Sequence, residues 1–166
     1  SSAVYKLEDA NISEEFRNRI YKEKSVSRLF KEHLLFIVDI YLFFLSQKDK
    51  NSKLAFLTPQ DLGNYEYLPK DIDAYIAIET NGKTKRYFLQ LFDAYNDKTG
   101  LIRFSVRKFI KYSENGDWQA NTNNSPMPSI LYVMIDERRK AFVGHYGQAK
   151  LKKTFEDLSL FVSTQD

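Results

Sequence analysis

The run Asp71–Asp93, DIDAYIAIETNGKTKRYFLQLFD, constrains the fold of this chain more than any other stretch. Ala74, Ile76 and Ile78 alternate with Tyr75, Ala77 and Glu79, then Asn81-Gly82 intervenes and apolar residues resume at Tyr87, Phe88, Leu89 and Leu91. Both central residues of a type I′ turn need positive φ, which Asn and Gly tolerate, so this pair between β-prone runs predicts an antiparallel hairpin. The strands are expected at about 72–79 and 84–92. Counted from the turn, Asp73 and Gln90 are nearly equidistant, so Asp71, Asp73, Gln90 and Asp93 are expected together at one polar corner of the sheet.

The length of 166 residues suits one domain with a sizeable core, and 43% hydrophobic with 15% aromatic residues points to a core rich in Phe and Tyr. A net charge of +3 argues only weakly for an anionic partner, so local clustering must carry that case. The absence of cysteine excludes a disulfide framework, a thiol nucleophile and a Cys-ligated zinc site, and a cytoplasmic address is the natural expectation. Leu34–Leu45 is interrupted by Asp39 and is shorter than the roughly 20 residues of a membrane span, so no membrane association is expected. The first residues lack the basic start and apolar block of a signal peptide and open on a strand-like Ala3–Leu7 without an obvious partner, as a fragment would.

In chain order, Ser13 opens a short polar helix to Lys22, and Ser25 or Ser27 caps a long one to about Ser46. That long helix is apolar nearly all round, which predicts a central helix covered on more than one side. Its polar exceptions are His33, expected as a boundary residue with a local hydrogen bond, and Asp39, which needs a partner or an edge. Leu54–Leu57 reads as a short strand stopped by Thr58-Pro59, Gln60–Leu68 as irregular, and Leu101–Ser113 as a helix ended by Asn115-Gly116. Trp118 follows in an ordered connection that loosens over Asn121–Pro128. Ser129–Ile135 reads as a buried strand, the basic stretch from Glu137 as a helix interrupted or ended by Gly144 and Gly147, Lys150–Phe155 as a helical turn, and Leu158–Val162 as a last strand. Strands separated by helices imply crossovers, hence an α/β (α+β) domain with a mixed sheet flanked by helices. Residues 1–24 are set apart as a connector, with the domain at 25–166.

Two constellations could carry chemistry. On the helix at 101–113, Arg103, Arg107 and Lys111 repeat every fourth residue with Lys108 beside them, while Ile102, Val106, Phe109 and Ile110 face the sheet. Such a stripe suits a phosphate backbone, although a solvated helix face looks the same in sequence. A second basic set comprises Arg138, Arg139 and Lys140, then Lys150, Lys152 and Lys153. The other constellation is Asp71 or Asp73 with position 90, the layout of a metal-dependent nuclease in which two acids hold Mg²⁺ and a lysine two residues on orients water. Here Gln90-Leu91-Phe92 stands where acid-x-Lys is wanted. A neutral amide is a poor Mg²⁺ ligand, Phe92 cannot activate water, and Asp93 points to the other face.

The segments PKDIDAYIAI, YFLQLFDAYND, VRKFIKYSENGDW and PSILYVMIDERRKAF, in that order, resemble the C-terminal domain of the replication-relaxation family, mobile-element proteins linked to plasmid replication and mobilisation. KEHLLFIVDIYLFFL is similar to that family's preceding helix, and AVYKLEDANISEEF to the exit of its winged-helix DNA-binding domain, so the resemblance implies that residues 1–24 are a remnant of that module. It also implies a restriction-endonuclease-like fold of the PD-(D/E)XK type. By position, Asp73 matches the Asp of the Pro-Asp element, displaced from Pro69 by an insertion. Gln90 falls where the family usually has Glu, and Lys108 and Tyr112 match its Lys and Tyr after the hairpin.

Three readings follow. The first is a non-catalytic, nuclease-like accessory domain that needs no cofactor and binds duplex or origin-region DNA, or a relaxase or replication protein, with Arg103, Arg107, Lys108, Lys111, Arg138 and Arg139 on the phosphates. The second is a Mg²⁺- or Mn²⁺-dependent nuclease using Asp73, Asp93 and a lysine such as Lys108, with Asp73 the metal candidate. The third is a protein-docking domain with Tyr65, Tyr67, Tyr75 and Tyr95 as an aromatic surface.

Overall fold

The computed structural model describes residues 27–96, 99–134, 137, 140–146 and 160–164. The polar helix at 13–22, the strand at 3–7, the turn at 150–155, and Arg138, Arg139, Gly147, Lys150, Lys152 and Lys153 lie outside these residues.

The Asn81-Gly82 turn organises the sheet as expected. Asn81 and Gly82 take φ of 52° and 76°, and the strands on either side, β2 (Ala74–Thr80) and β3 (Lys83–Phe92), pair antiparallel from Thr80↔Lys83 to Ala74↔Leu89. Before them come α1 (Arg28–Ser46) and β1 (Lys53–Leu57), and β1 pairs antiparallel with β2. Ser27 is the cap of α1, its hydroxyl accepting from the Phe30 amide. After β3, α3 (Thr99–Asn115) crosses over to β4 (Ser129–Met134), which lies parallel to β3, and β5 (Leu160–Thr164) lies parallel to β4. Among the described residues the sheet has five strands in the order β1-β2-β3-β4-β5, mixed as expected.

Strand alternation divides the core between the two faces of this sheet. Ala74, Ile76, Leu89, Leu91 and Val133 meet Ile37 and Ile40 of α1 on one face. On the other, Phe88, Phe92, Ile130, Tyr132 and Met134 pack with Ile102, Val106 and Phe109 of α3, with Trp118 and with Val143 of a helix at 140–146. The result is three layers, helix, sheet and helix.

Three expectations are corrected. The stretch after Thr58 is not irregular throughout: Pro59–Leu62 forms a short helix, α2, whose start is closed by the Thr58 amide and hydroxyl, both donating to the Asp61 carboxylate. Gly144 does not interrupt its helix, since 140–146 is helical through it. Most consequentially, among the described residues α1 is covered on one side only. Leu35, Val38 and Leu42 are about half exposed or more on its outer face, because only the sheet-facing stripe of Ile37 and Ile40 meets the core. Trp118 does sit in an ordered connection, the helix α4 (Asp117–Asn121), which Gly116 enters at φ 73° where α3 ends.

Candidate functional site

The four polar residues flanking the hairpin do reach one end of the sheet, yet they separate onto its two faces. Gln90 follows the alternation of Phe88 and Phe92 and points toward α3. Ser105, a polar residue in the sheet-facing stripe of α3, donates its hydroxyl to the Gln90 amide oxygen, and Ser105 and Tyr132 hydroxyls lie 2.7 Å apart. With the serine proton directed at Gln90, Tyr132 is the donor of the second bond. The Gln90 amide nitrogen in turn donates to the Asp71 carbonyl at 3.3 Å. A neutral chain, Tyr132 to Ser105 to Gln90 to the Asp71 backbone, thus fills the place where a nuclease needs a charged acid. Burial pushes the Tyr132 phenol well above the ordinary tyrosine range, which keeps this chain protonated.

On the same face Lys108 donates to the Asp71 carboxylate at 2.7 Å, both side chains about half exposed. Asp71, Lys108, Lys111, Tyr112 and Pro69 border a shallow cleft of about 190 Å³. Tyr112, expected beside Lys108, turns its hydroxyl away to the Tyr67 carbonyl, and burial raises its pKa.

The other face holds a trio, His33 and Asp93 buried and Asp73 partly so, that sequence reasoning did not assemble. His33 is 3% exposed, so the expected boundary position with a local bond is incorrect. Its Nδ1 lies 2.8 Å from Asp93 Oδ2 and its Nε2 3.1 Å from Asp73 Oδ1. Asp73 Oδ2 accepts from the Leu91 amide at 2.6 Å, and Asp93 Oδ1 from the Tyr95 and Asn96 amides. Asp73 precedes β2 and its carboxylate bends into the plane of the strands, which is why it leaves the Gln90 face despite neighbouring register. A carboxylate only accepts, so both contacts are hydrogen bonds only when both ring nitrogens of His33 carry protons. Burial pulls the imidazole pKa down, but Asp73 and Asp93 together outweigh it and hold the pKa above its ordinary value.

Asp73 and Gln90 thus reach the same end of the sheet but turn to opposite faces of it. Both oxygens of Asp73 and both of Asp93 are engaged by His33 and backbone amides, and Gln90 is bound into a neutral chain across the sheet. These residues do not fit a divalent ion, and among the described residues no group of three or more His, Asp or Glu is arranged to hold one. Phe92, at the lysine position, is buried in the core.

The cationic stripe is where the sequence indicated. Arg103, Arg107, Lys108 and Lys111 are all exposed on α3, above buried Ile102, Val106 and Phe109. Among the described residues no acid pairs with Arg107 or Lys111. Arg103 lies over the stacked rings of Phe142 and Tyr146, 5.4 and 5.6 Å from their centroids. Lys140 of the second basic set is paired with Glu137 at 2.9 Å.

Of the aromatic docking residues, Tyr65 and Tyr95 are exposed, whereas Tyr67 and Tyr75 lean on Trp118 and are half-buried. Sequence reasoning missed Ser105, Tyr132 and the role of His33. Each could have been flagged as a polar residue within an apolar stripe, Ser105 between Ile102 and Phe109 and His33 one turn before Ile37. Among the described residues no helix is long and apolar enough to cross a membrane. Comparison with protein-family models, with curated proteins and with solved structures finds no match.

Proposed function

We propose that this domain is a nuclease-like module that has given up cleavage and binds the phosphate backbone of DNA through α3, as a cytoplasmic accessory in plasmid replication or mobilisation. The observation that carries the reading is the exposed row Arg103, Arg107 and Lys111, continuous with Lys108 at the cleft and, among the described residues, without acidic partners at Arg107 and Lys111. A helix-borne row at four-residue spacing is about 6 Å between members, close to the spacing of successive phosphates. The order of an antiparallel β1-β2-β3 meander, a crossover helix and a parallel β4 is compatible with the restriction-endonuclease-like fold that the sequence resemblance implies. The neutral Tyr132-Ser105-Gln90 chain explains why such a scaffold would bind without cutting. The assignment to plasmid replication or mobilisation rests on the resemblance alone.

Fluorescence anisotropy with a short labelled duplex, over a salt series and with and without Mg²⁺, tests this reading. Four phosphate contacts give a log–log salt slope of about −3.6, and Mg²⁺ should act only as a competing cation. Arg107→Ala with Lys111→Ala should weaken binding and flatten the slope by about 2. Asp71→Ala frees Lys108 and should tighten binding. An affinity insensitive to all three substitutions would sink the proposal, as would Mn²⁺-dependent nicking that is lost in Asp73→Ala.

A further inference from the structure

The outer face of α1 carries a pattern that the sheet does not use. His33, Ile37, Ile40 and Phe44, at spacings of four, three and four, form the side turned to the core. On the opposite side Leu35, Val38, Leu42 and Leu45, at spacings of three, four and three, are between 42% and 63% exposed, with Leu34 and Tyr41 along one flank. Alternating three- and four-residue spacing is the seam of a helix that packs lengthwise against another helix. These six side chains leave on the order of 500 Å² of apolar surface to water, so two copies joined here would bury roughly 1,000 Å², the lower bound of a specific interface.

We propose that the chain is a two-fold symmetric dimer through this seam, with the two α1 helices antiparallel. Charge placement argues for that orientation. Arg28 and Lys31 occupy the first turn of α1, which holds no acid, and the last turn holds no base. The basic first turn is thus opposite to what the helix dipole favours, and the uncharged last turn lacks the base that would favour it. Antiparallel pairing about residue 40 brings each Lys31 level with Asp49, just past the carbonyl end of the other helix, while Arg28 stays paired with Glu32 of its own helix at 2.7 Å. A symmetric fit about residue 40 layers Leu35 on the partner's Leu45 and Val38 on the partner's Leu42, the pairing of an antiparallel seam. Asp39, exposed beside the seam, then lies near its symmetry mate and opposes association. The dimer is independent of DNA binding, because α1 and α3 lie on opposite faces of the sheet.

Sedimentation equilibrium of the 166-residue chain over roughly 1–100 µM should give a monomer–dimer equilibrium. Leu35→Glu with Leu42→Glu changes exposed positions only, so its circular dichroism should stay the same while dissociation rises on the order of 100-fold. Asp39→Asn should tighten the dimer a few-fold. Because the chain has no cysteine, oxidation of a mixture of Val38→Cys and Leu42→Cys chains should give the mixed disulfide in excess over either self-pair. Preferential self-crosslinking would overturn the antiparallel arrangement. A monomer at every concentration would overturn the dimer and leave the seam to another segment of this chain or to a different helical partner.

Discussion

His33 shows how far one buried side chain can tie a fold together. It joins α1 to the loop before β2 and to the end of β3 through two carboxylates, across sequence separations of 40 and 60 residues. His33→Ala would leave Asp73 and Asp93 without the cation that compensates them, and urea unfolding should register a loss of about 2–4 kcal/mol. The pH dependence has a definite sign. Because the folded pKa is above the unfolded value of about 6.5, the stabilisation is fully present below that value and is lost as pH rises through the folded pKa. Urea midpoints should therefore fall between mildly acidic and alkaline buffer in the native chain, and His33→Ala should flatten that part of the profile. Tyr132→Phe removes the first donor of the Gln90 chain and should cost about 1 kcal/mol.

At the scale of elements, backbone conformation decides which glycines matter. Gly82 turns the hairpin at φ 76°, so Gly82→Ala is strained although the space around it is open, and it should destabilise by about 1 kcal/mol or more. Gly144 is the control: it lies inside a helix, its φ is not positive, and a Cβ there meets nothing within 4 Å. Gly144→Ala should stabilise by about 0.5–1 kcal/mol, and thermal melts of the two variants beside the native chain check both signs. The hairpin, the α1 cap at Ser27 and the α3 stop at Gly116 were legible in the sequence because each is specified by residues adjacent in the chain. The short helix α2 was not, because Pro59 reads equally well as a strand stop and as the first residue of a helix.

For the whole molecule, the sheet separates two surfaces of different chemistry, a cationic one on α3 and an apolar one on α1. The two proposals can therefore be separated experimentally. Arg107→Ala with Lys111→Ala should leave sedimentation unchanged. The dimer-breaking pair Leu35→Glu with Leu42→Glu should leave affinity for a short duplex within about twofold, since two outward-facing sites on a dimer cannot both engage one short rod. A larger loss would mean that the two faces are coupled.

The mixed α/β architecture, the hairpin with its register, the buried face of α3 and its cationic row were written in the sequence, because periodicity and turn chemistry are local properties. The polar corner was only half written. Register brought Asp71, Asp73, Gln90 and Asp93 to one end of the sheet, but a carboxylate just outside a strand is free to bend, and tertiary packing took Asp73 to His33 rather than to Gln90. The same holds for α1, whose sequence is apolar almost all round while only the sheet decides which stripe is buried. Long-range partners such as His33 with Asp93 and Ser105 with Tyr132 leave no periodic trace, so only the assembled fold could decide them.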